Sequence, residues 1–363
     1  MGLRVVIVGC GKIADGHVEE IRKLKNAEVV AVSDVEPLMA EQIAVRYHVP
    51  RHYSNFHEML DIERPDVVHI TTPPASHLEL ATAAIESGSH VFVEKPLGLN
   101  YEETSKLVRF AAKSGRKLTV GWSYVLDPPM VALRRLVRRG LLGDPVHIES
   151  FYGYSLDGLF GKAVLENDRH WVLDLPGRLL QNNIDHALNK LTEFIDDDEP
   201  DVSARGYVRR PAAFGDVRDE FCDELRATVV GREVSAYVTF SSHARPAAHF
   251  LRVYGSNCTA HVDFLSRTVT IDGGPTLPTA LGRLVPAFSQ SWQYFREGWR
   301  NAFRFARSDF HYFAGLNRLI AAFYGSIISN SKPPIHYRDI LRVAWMTDRI
   351  VEQVEHTGVD NRR

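Results

Sequence analysis

The apolar run Val5-Val6-Ile7-Val8 stops at Gly9-Cys10-Gly11 and passes directly into a segment with apolar residues at helical spacing. Few folds accept that order. Gly9 allows a tight turn, Gly11 lets the backbone come close to a pyrophosphate, and Ala14 keeps the helix near its strand. The helix start, with Lys12 and Ile13 in its first turn, offers free N–H groups and a positive dipole to a phosphate. A glycine pair alone is weak evidence. Here Asp34 ends a second apolar run 20 residues beyond Ala14, where a carboxylate can accept both ribose hydroxyls and would repel a 2′-phosphate. The pattern predicts a dinucleotide-binding turn that prefers NAD(H) to NADP(H). Its rival is a structural glycine turn beside a surface aspartate.

From residue 3 to about 124, strand-like and helix-like segments alternate, which predicts a parallel sheet with helices on both faces. Candidate strands are 3–8, 28–33, 66–71, 90–94 and 117–121, and amphipathic segments fill 12–25, 37–47, 76–87 and 101–114. The strands are nearly unbroken apolar runs, as expected when both faces are covered. The loop Thr71-Thr72-Pro73-Pro74-Ala75-Ser76-His77 follows one strand. Its prolines stop the strand and stiffen the sheet's carboxyl edge. We expect cofactor contact through Thr71, Thr72, Pro74 and His77, against the alternative of a bare strand-to-helix turn. Another strand ends in Glu94-Lys95-Pro96. A lysine there points into the crevice where such sheets bind ligands.

These motifs, with His90-Val91-Phe92-Val93-Glu94-Lys95-Pro96-Leu97 and Gly121-Trp122-Ser123, resemble the Gfo/Idh/MocA family (glucose–fructose oxidoreductase, inositol dehydrogenase, rhizopine catabolism). The resemblance covers residues 1–124. It implies that Lys95 lies beside the nicotinamide and the substrate hydroxyl as a catalytic residue. It also implies that Glu94 borders the cofactor and that Pro96 makes a cis-related kink. The chain departs from the family after Gly121, reading Trp122-Ser123-Tyr124 in place of the usual polar residues. Trp122 and Tyr124 are then candidates for stacking on a substrate ring or for filling the core.

Beyond Asp127-Pro128-Pro129 the pattern changes. A helix-like 130–139 leads to a strand-like Pro145–Tyr154 run and a glycine-containing loop, 153–168. Runs at 202–209, 223–231, 233–241, 249–255, 258–263 and 267–272 alternate with period two. They predict an open antiparallel sheet with helices on one face. The expected division is a Rossmann domain, 1–124, and an α+β domain, 125–363, for substrate binding and oligomerisation, with its last helices able to pack back on the first domain. The predicted helix 177–195 carries Asn182, Asp185, His186 and Asn189 on one face. The resemblance places a proton-accepting histidine here, flanked by carboxylates. This chain keeps His186 and replaces the carboxylates with Asn182 and Asn189. His186 suits proton transfer near neutral pH, Asp185 can orient it, and Asn182 can only position hydroxyls. Asp168-Arg169-His170-Trp171 offers Arg169 and Trp171 to a sugar by charge and stacking, with ordinary packing as the rival.

With 363 residues and a net charge of −2, the chain fits two domains and gives no electrostatic case for nucleic-acid binding. Cys10, Cys222 and Cys258 are too scattered for disulfides or zinc, and the acidic run 196–201 has no metal-site spacing. The first apolar run is too short for a signal peptide, and no run suits a membrane span. A cytoplasmic protein without stable membrane insertion is expected. Aromatic residues at helical spacing in 286–313, flanked by arginines, suit docking on the protein itself or on a partner subunit. A basic amphipathic helix on a membrane is the alternative. The resemblance implies an NAD(H)-dependent oxidoreductase of a sugar or sugar-nucleotide hydroxyl/ketone pair, acting as a homodimer or homotetramer. Two alternatives stand: a glycoside hydrolase with transient oxidation, and a catalytically silent NAD-binding regulator.

Overall fold

The computed structural model of this chain describes residues 2–167, 169–209, 222–273, 278–311 and 313–356. Asp168 of the aromatic–basic loop and the tail from Gly358 lie outside these residues. Two compact units divide the chain, Met1–Ser123 with Gly315–Ala344 and Tyr124–Ala314 with Trp345–Arg363.

The first unit opens with β1 (Leu3–Val8), α1 (Lys12–Arg22), β2 (Ala27–Ser33), α2 (Pro37–Tyr47), β3 (Arg51–Tyr53) and α3 (Phe56–Glu63). It continues with β4 (Val67–Ile70), α4 (His77–Glu86), β5 (His90–Val93), α5 (Tyr101–Ser114) and β6 (Leu118–Val120). The six strands form one sheet in the order β3-β2-β1-β4-β5-β6, with every pairing parallel. Val67–Ile70 is buried at every residue, the physical counterpart of its unbroken apolar run. Sequence periodicity missed β3 and α3. β3 is three residues long and largely exposed, so it carries no apolar signal. Gly88 and Gly115 terminate α4 and α5 with φ of 94° and 67°, a region that favours glycine.

The second unit holds α6 (Pro128–Arg138), β7 (Pro145–Ser155), α7 (Leu159–Glu166), α8 (Arg178–Leu188) and β8 (Asp201–Tyr207). After these come β9 (Glu224–Val230), β10 (Ser235–Ser241), β11 (His243–Gly255), β12 (Thr259–Asp263), β13 (Thr268–Asp272) and α9 (Thr279–Ala306). Of the remaining helices, α10 (Ala314–Ile328) belongs to the first unit from Gly315 on, and α11 (Tyr337–His356) passes from the first unit to the second after Ala344. The sheet order is β13-β12-β11-β7-β10-β9-β8. It is mixed rather than wholly antiparallel, because β7 and β10 run parallel with Ile148 beside Ala236. The long excursion through α7, α8, β8 and β9 permits this, whereas a hairpin forces antiparallel pairing. Along β10, Ala236, Val238 and Phe240 are buried while Tyr237 is exposed, so the sheet has one packed and one open side. α8 packs against β7 and β10. It is shorter than the expected 177–195 and is followed by a separate turn, Leu191–Glu193. The loop expected at 153–168 contains α7.

Candidate active site

Parallel register brings the first unit's motifs to one edge. Val8 pairs with Ser33 and with Ile70, Ile70 with Val93, and Val93 with Val120. The residues that follow these strand ends, Gly9, Asp34, Thr71, Glu94 and Gly121, therefore line the carboxyl edge, where open parallel sheets bind ligands. Asp34 is fixed there by two main-chain donors, Cys10 N–H at 2.6 Å and Glu36 N–H at 2.9 Å. No side chain caps α1, whose N-cap is Gly11. Those features fit a dinucleotide: an open helix start for phosphates beside a carboxylate held for a ribose. The Cys10 thiol beneath them is pushed up to about 12, first by burial and then by Asp34 and Asp15. It has no thiolate character at neutral pH.

The two glycines of the turn do different work. Gly9 has φ of 91°, and a Cβ there would lie 2.6 Å from Thr72 N and 2.7 Å from Thr72 Cγ2. A Cβ on Gly11 would meet nothing within 4 Å. Gly9→Ala is thus expected to destabilise the fold by about 2–4 kcal/mol through strain and overlap. Gly11→Ala should leave the melting temperature unchanged and weaken NAD affinity about ten-fold or more, since its methyl would stand where a pyrophosphate approaches. Thermal melts and NAD titrations of both variants separate the two effects. Equal Tm losses would refute the assignment.

Several predicted contacts turn inward. The Thr71 hydroxyl donates to Gly9 O at 2.6 Å and lies 3.0 Å from Val8 O, clamping the glycine turn. Thr72 Oγ1 accepts from Ser76 at 2.7 Å, and Pro74 is buried in the short turn Pro74–Ser76. His77 is fully buried, with Nδ1 2.9 Å from Pro96 O and Nε2 2.9 Å from Thr72 O. Burial lowers its pKa, partly offset by those two carbonyls and by Glu94. His77 was expected at the cofactor; in this geometry it ties the Thr72 loop to the Lys95–Pro96 loop, whose peptide bond is cis.

Glu94 ends a buried chain of side chains. Its Oε1 is 2.9 Å from His17 Nε2, His17 Nδ1 is 2.8 Å from His69 Nδ1, and His69 Nε2 is 2.8 Å from Tyr324 OH. Burial lowers the His69 pKa well below its ordinary value and raises that of Tyr324. Tyr324 can donate to His69, His69 to His17, and His17 to the Glu94 carboxylate, a set of tautomers that gives every contact one donor and one acceptor. Burial pushes the Glu94 carboxyl up, but the hydrogen bond and charge of His17, with Lys95, outweigh it and bring it below its usual value. A Cβ on Gly121 would fall 2.4 Å from Glu94 Oε1, so this glycine makes room for the carboxylate. The His17 contact thereby anchors Glu94, the residue before Lys95. Sequence reading missed His17 and His69, whose partners lie 77 and 255 residues away.

In the second unit, α8 presents His186 to a cluster of rings. Tyr152 lies 4.9 Å from it and Tyr124 5.4 Å, centroid to centroid. His249, packed 4.4 Å from Tyr124 and 5.0 Å from Tyr152, completes the group. Burial, Lys190 and His186 push the His249 pKa far down. Asn182, Asp185 and Asn189 are buried on α8 and at its end. Lys190, one turn beyond His186, is 0 % exposed, with Nζ 5.1 Å from the Phe264 ring and 5.8 Å from that of Tyr124. Neither its ammonium nor the Asn189 amide finds a hydrogen-bond partner among the described residues. Burial draws the Lys190 pKa down to about 7, against the opposing pull of Asp185. The i, i+4, i+8 spacing of Asn182, His186 and Lys190 was the available signal; lysine's usual preference for water concealed it. Trp171 stacks on His170 at 5.6 Å, and Arg169 is exposed. Trp122 is 4 % exposed within the first unit.

A family model described as "Oxidoreductase family, NAD-binding Rossmann fold" matches residues 3–122. Inositol 2-dehydrogenase of Burkholderia cenocepacia is 31% identical over 149 residues, 40% of this chain and 44% of that protein. The match therefore spans less than half of the relative's length. UDP-N-acetylglucosamine 3-dehydrogenase GnnA from Acidithiobacillus ferrooxidans has a TM-score of 0.75 at 20% identity, covering 98% of both chains. Levoglucosan dehydrogenase in complex with NADH and levoglucosan reaches 0.79 at 17% identity, covering 99% of this chain and 98% of that one. These likenesses extend the two-domain fold over nearly the whole length.

Proposed function

Because residues 3–122 belong to the Gfo/Idh/MocA oxidoreductase family, we propose that this chain is an NAD(H)-dependent dehydrogenase or ketoreductase of a cyclic polyol, sugar or sugar nucleotide. The observation that carries the reading is the alignment of Gly9, Asp34, Thr71 and Glu94 at adjacent parallel strand ends, with Lys95 next in the chain. Gly9, Gly11, Lys12 and Ile13 would hold the pyrophosphate by main-chain groups, and Asp34 the adenosine ribose, favouring NAD over NADP. When bound, the nicotinamide accepts or supplies the hydride.

The residues divide the remaining work. Lys95 hydrogen-bonds the reacting oxygen and stabilises the negative charge that develops on it. His186 takes up or returns the hydroxyl proton, its ring steadied by Tyr124 and Tyr152. Asn182 positions a neighbouring hydroxyl. Asp185 contributes negative charge near Lys190. The inositol, levoglucosan and UDP-sugar dehydrogenases among the similar proteins support a polyhydroxylated ring as substrate.

Purified protein incubated with NAD and a panel of inositols, hexoses, anhydrosugars and nucleotide sugars tests the reading. We expect NADH to accumulate with one class and little turnover with NADP. Substrate consumption without net NADH would favour the hydrolase alternative. NAD binding with no product from any panel member would favour a silent regulator.

A further inference from the structure

α9 is amphipathic in an inverted sense. Toward β13, the edge strand of its sheet, it presents polar side chains. Gln293 exchanges two hydrogen bonds with the main chain of Ile271, at 2.8 and 2.9 Å. Gln290 donates to Asp272, and Asn301 to the Ser266 carbonyl at 2.7 Å. On the opposite side Leu281, Val285, Phe288, Trp292, Phe295 and Trp299 recur in steps of four and three, each 41 to 70 % exposed. The stripe is expected to dock on its own protein or a partner subunit; among the described residues none covers it. A single apolar ridge of roughly 27 Å, at 1.5 Å per residue, stands open on a helix of four arginines and one acid. That acid, Glu297, is 6 % exposed and paired with Arg300.

We propose that α9 is a membrane-surface helix, lying in the interface of an anionic lipid leaflet with its aromatic ridge inward and its arginines against the headgroups. Charge selects this occupant. Arg296 and Arg300 border the Trp292–Trp299 surface, and the Arg307 guanidinium lies 4.0 Å from the Phe303 ring centroid. The whole chain has a net charge of −2, so this local positive excess runs against the background. A second copy is the poorer fit. In an antiparallel two-fold pairing the flank bearing Arg296, Arg300 and Arg307 would face itself, with no free acid on the helix to meet it. A peptide partner usually needs a groove with walls, whereas a ridge rich in Trp and Phe suits a lipid interface. No helix among the described residues is long and apolar enough to cross a membrane, so the contact lies along the surface.

The test uses the full chain with vesicles of pure phosphatidylcholine and vesicles enriched in phosphatidylserine. Flotation should show about ten-fold or greater preference for the anionic vesicles, weakened by salt, with a blue shift of tryptophan emission. Trp292→Ser/Trp299→Ser should abolish binding, and Arg296→Gln/Arg300→Gln should remove the anionic preference. Far-UV circular dichroism and NAD binding of both variants should remain unchanged, which separates this outcome from misfolding and from failure of the enzymatic reading. Absence of vesicle binding would overturn the proposal. So would equal binding to neutral vesicles, or sedimentation showing self-association through the same tryptophans without lipid binding.

Discussion

Lys95→Met is expected to lower kcat about 10³-fold while NAD affinity changes less than about three-fold, the signature of an interaction made only as charge develops. Methionine keeps the length of the stem and loses the ammonium. The main-chain bond from Lys95 N–H to Glu94 Oε2, at 3.3 Å, survives the change, as does the His17–Glu94 contact that anchors the preceding residue. The fold should therefore hold, and circular dichroism should report that directly. Steady-state kinetics on the best substrate from the panel, with a parallel NAD titration, gives the split. Activity above a tenth of the parent's would remove Lys95 from the chemistry. A matched loss of NAD affinity would recast it as a binding residue.

Lys190→Met should stabilise the protein, and the gain should depend on pH. The folded-state pKa of Lys190 lies at about 7, below its ordinary 10.5, because burial penalises the ammonium. The unfolded chain titrates near 10.4. Between those values the unfolded state holds a proton that the folded state has released, so this group makes stability rise with pH across that window. Below about pH 7 both states are protonated and the whole desolvation cost is present. Methionine, of similar length and without charge, removes it. A shift of this size corresponds to about 5 kcal/mol at pH 6, fading toward zero near pH 10. Urea melts at the two ends of the range decide it. A pH-independent difference, or a less stable variant at pH 6, would show that the ammonium is satisfied in the folded protein. A simultaneous loss of turnover would mean that this destabilised lysine is retained for function.

What could be read from the chain followed from range. The glycine turn, Asp34 and the apolar runs are local signals, because period and turn chemistry act over a few residues. They gave five of the six parallel strands of the first unit; β3 escaped because three exposed residues carry no pattern. In the second sheet, the alternation of β10 was visible in the sequence. Its parallel pairing with β7 was not, since alternation specifies which face is buried and says nothing of strand direction.

The candidate site divides the same way. The sequence by itself determined that a dinucleotide-type turn, an acidic strand end and a lysine following a buried strand occur in the order a Rossmann sheet requires. It also supplied His186 on a helix. Only the tertiary structure decided what each polar group faces. Glu94 meets His17, His77 bridges two loops, Lys190 is enclosed by Tyr124 and Phe264, and the aromatic side of α9 is exposed among the described residues. The physical reason is that backbone propensity is set by neighbours in sequence. Burial, and with it pKa and hydrogen-bond partnership, is set by residues that become neighbours only when distant segments pack.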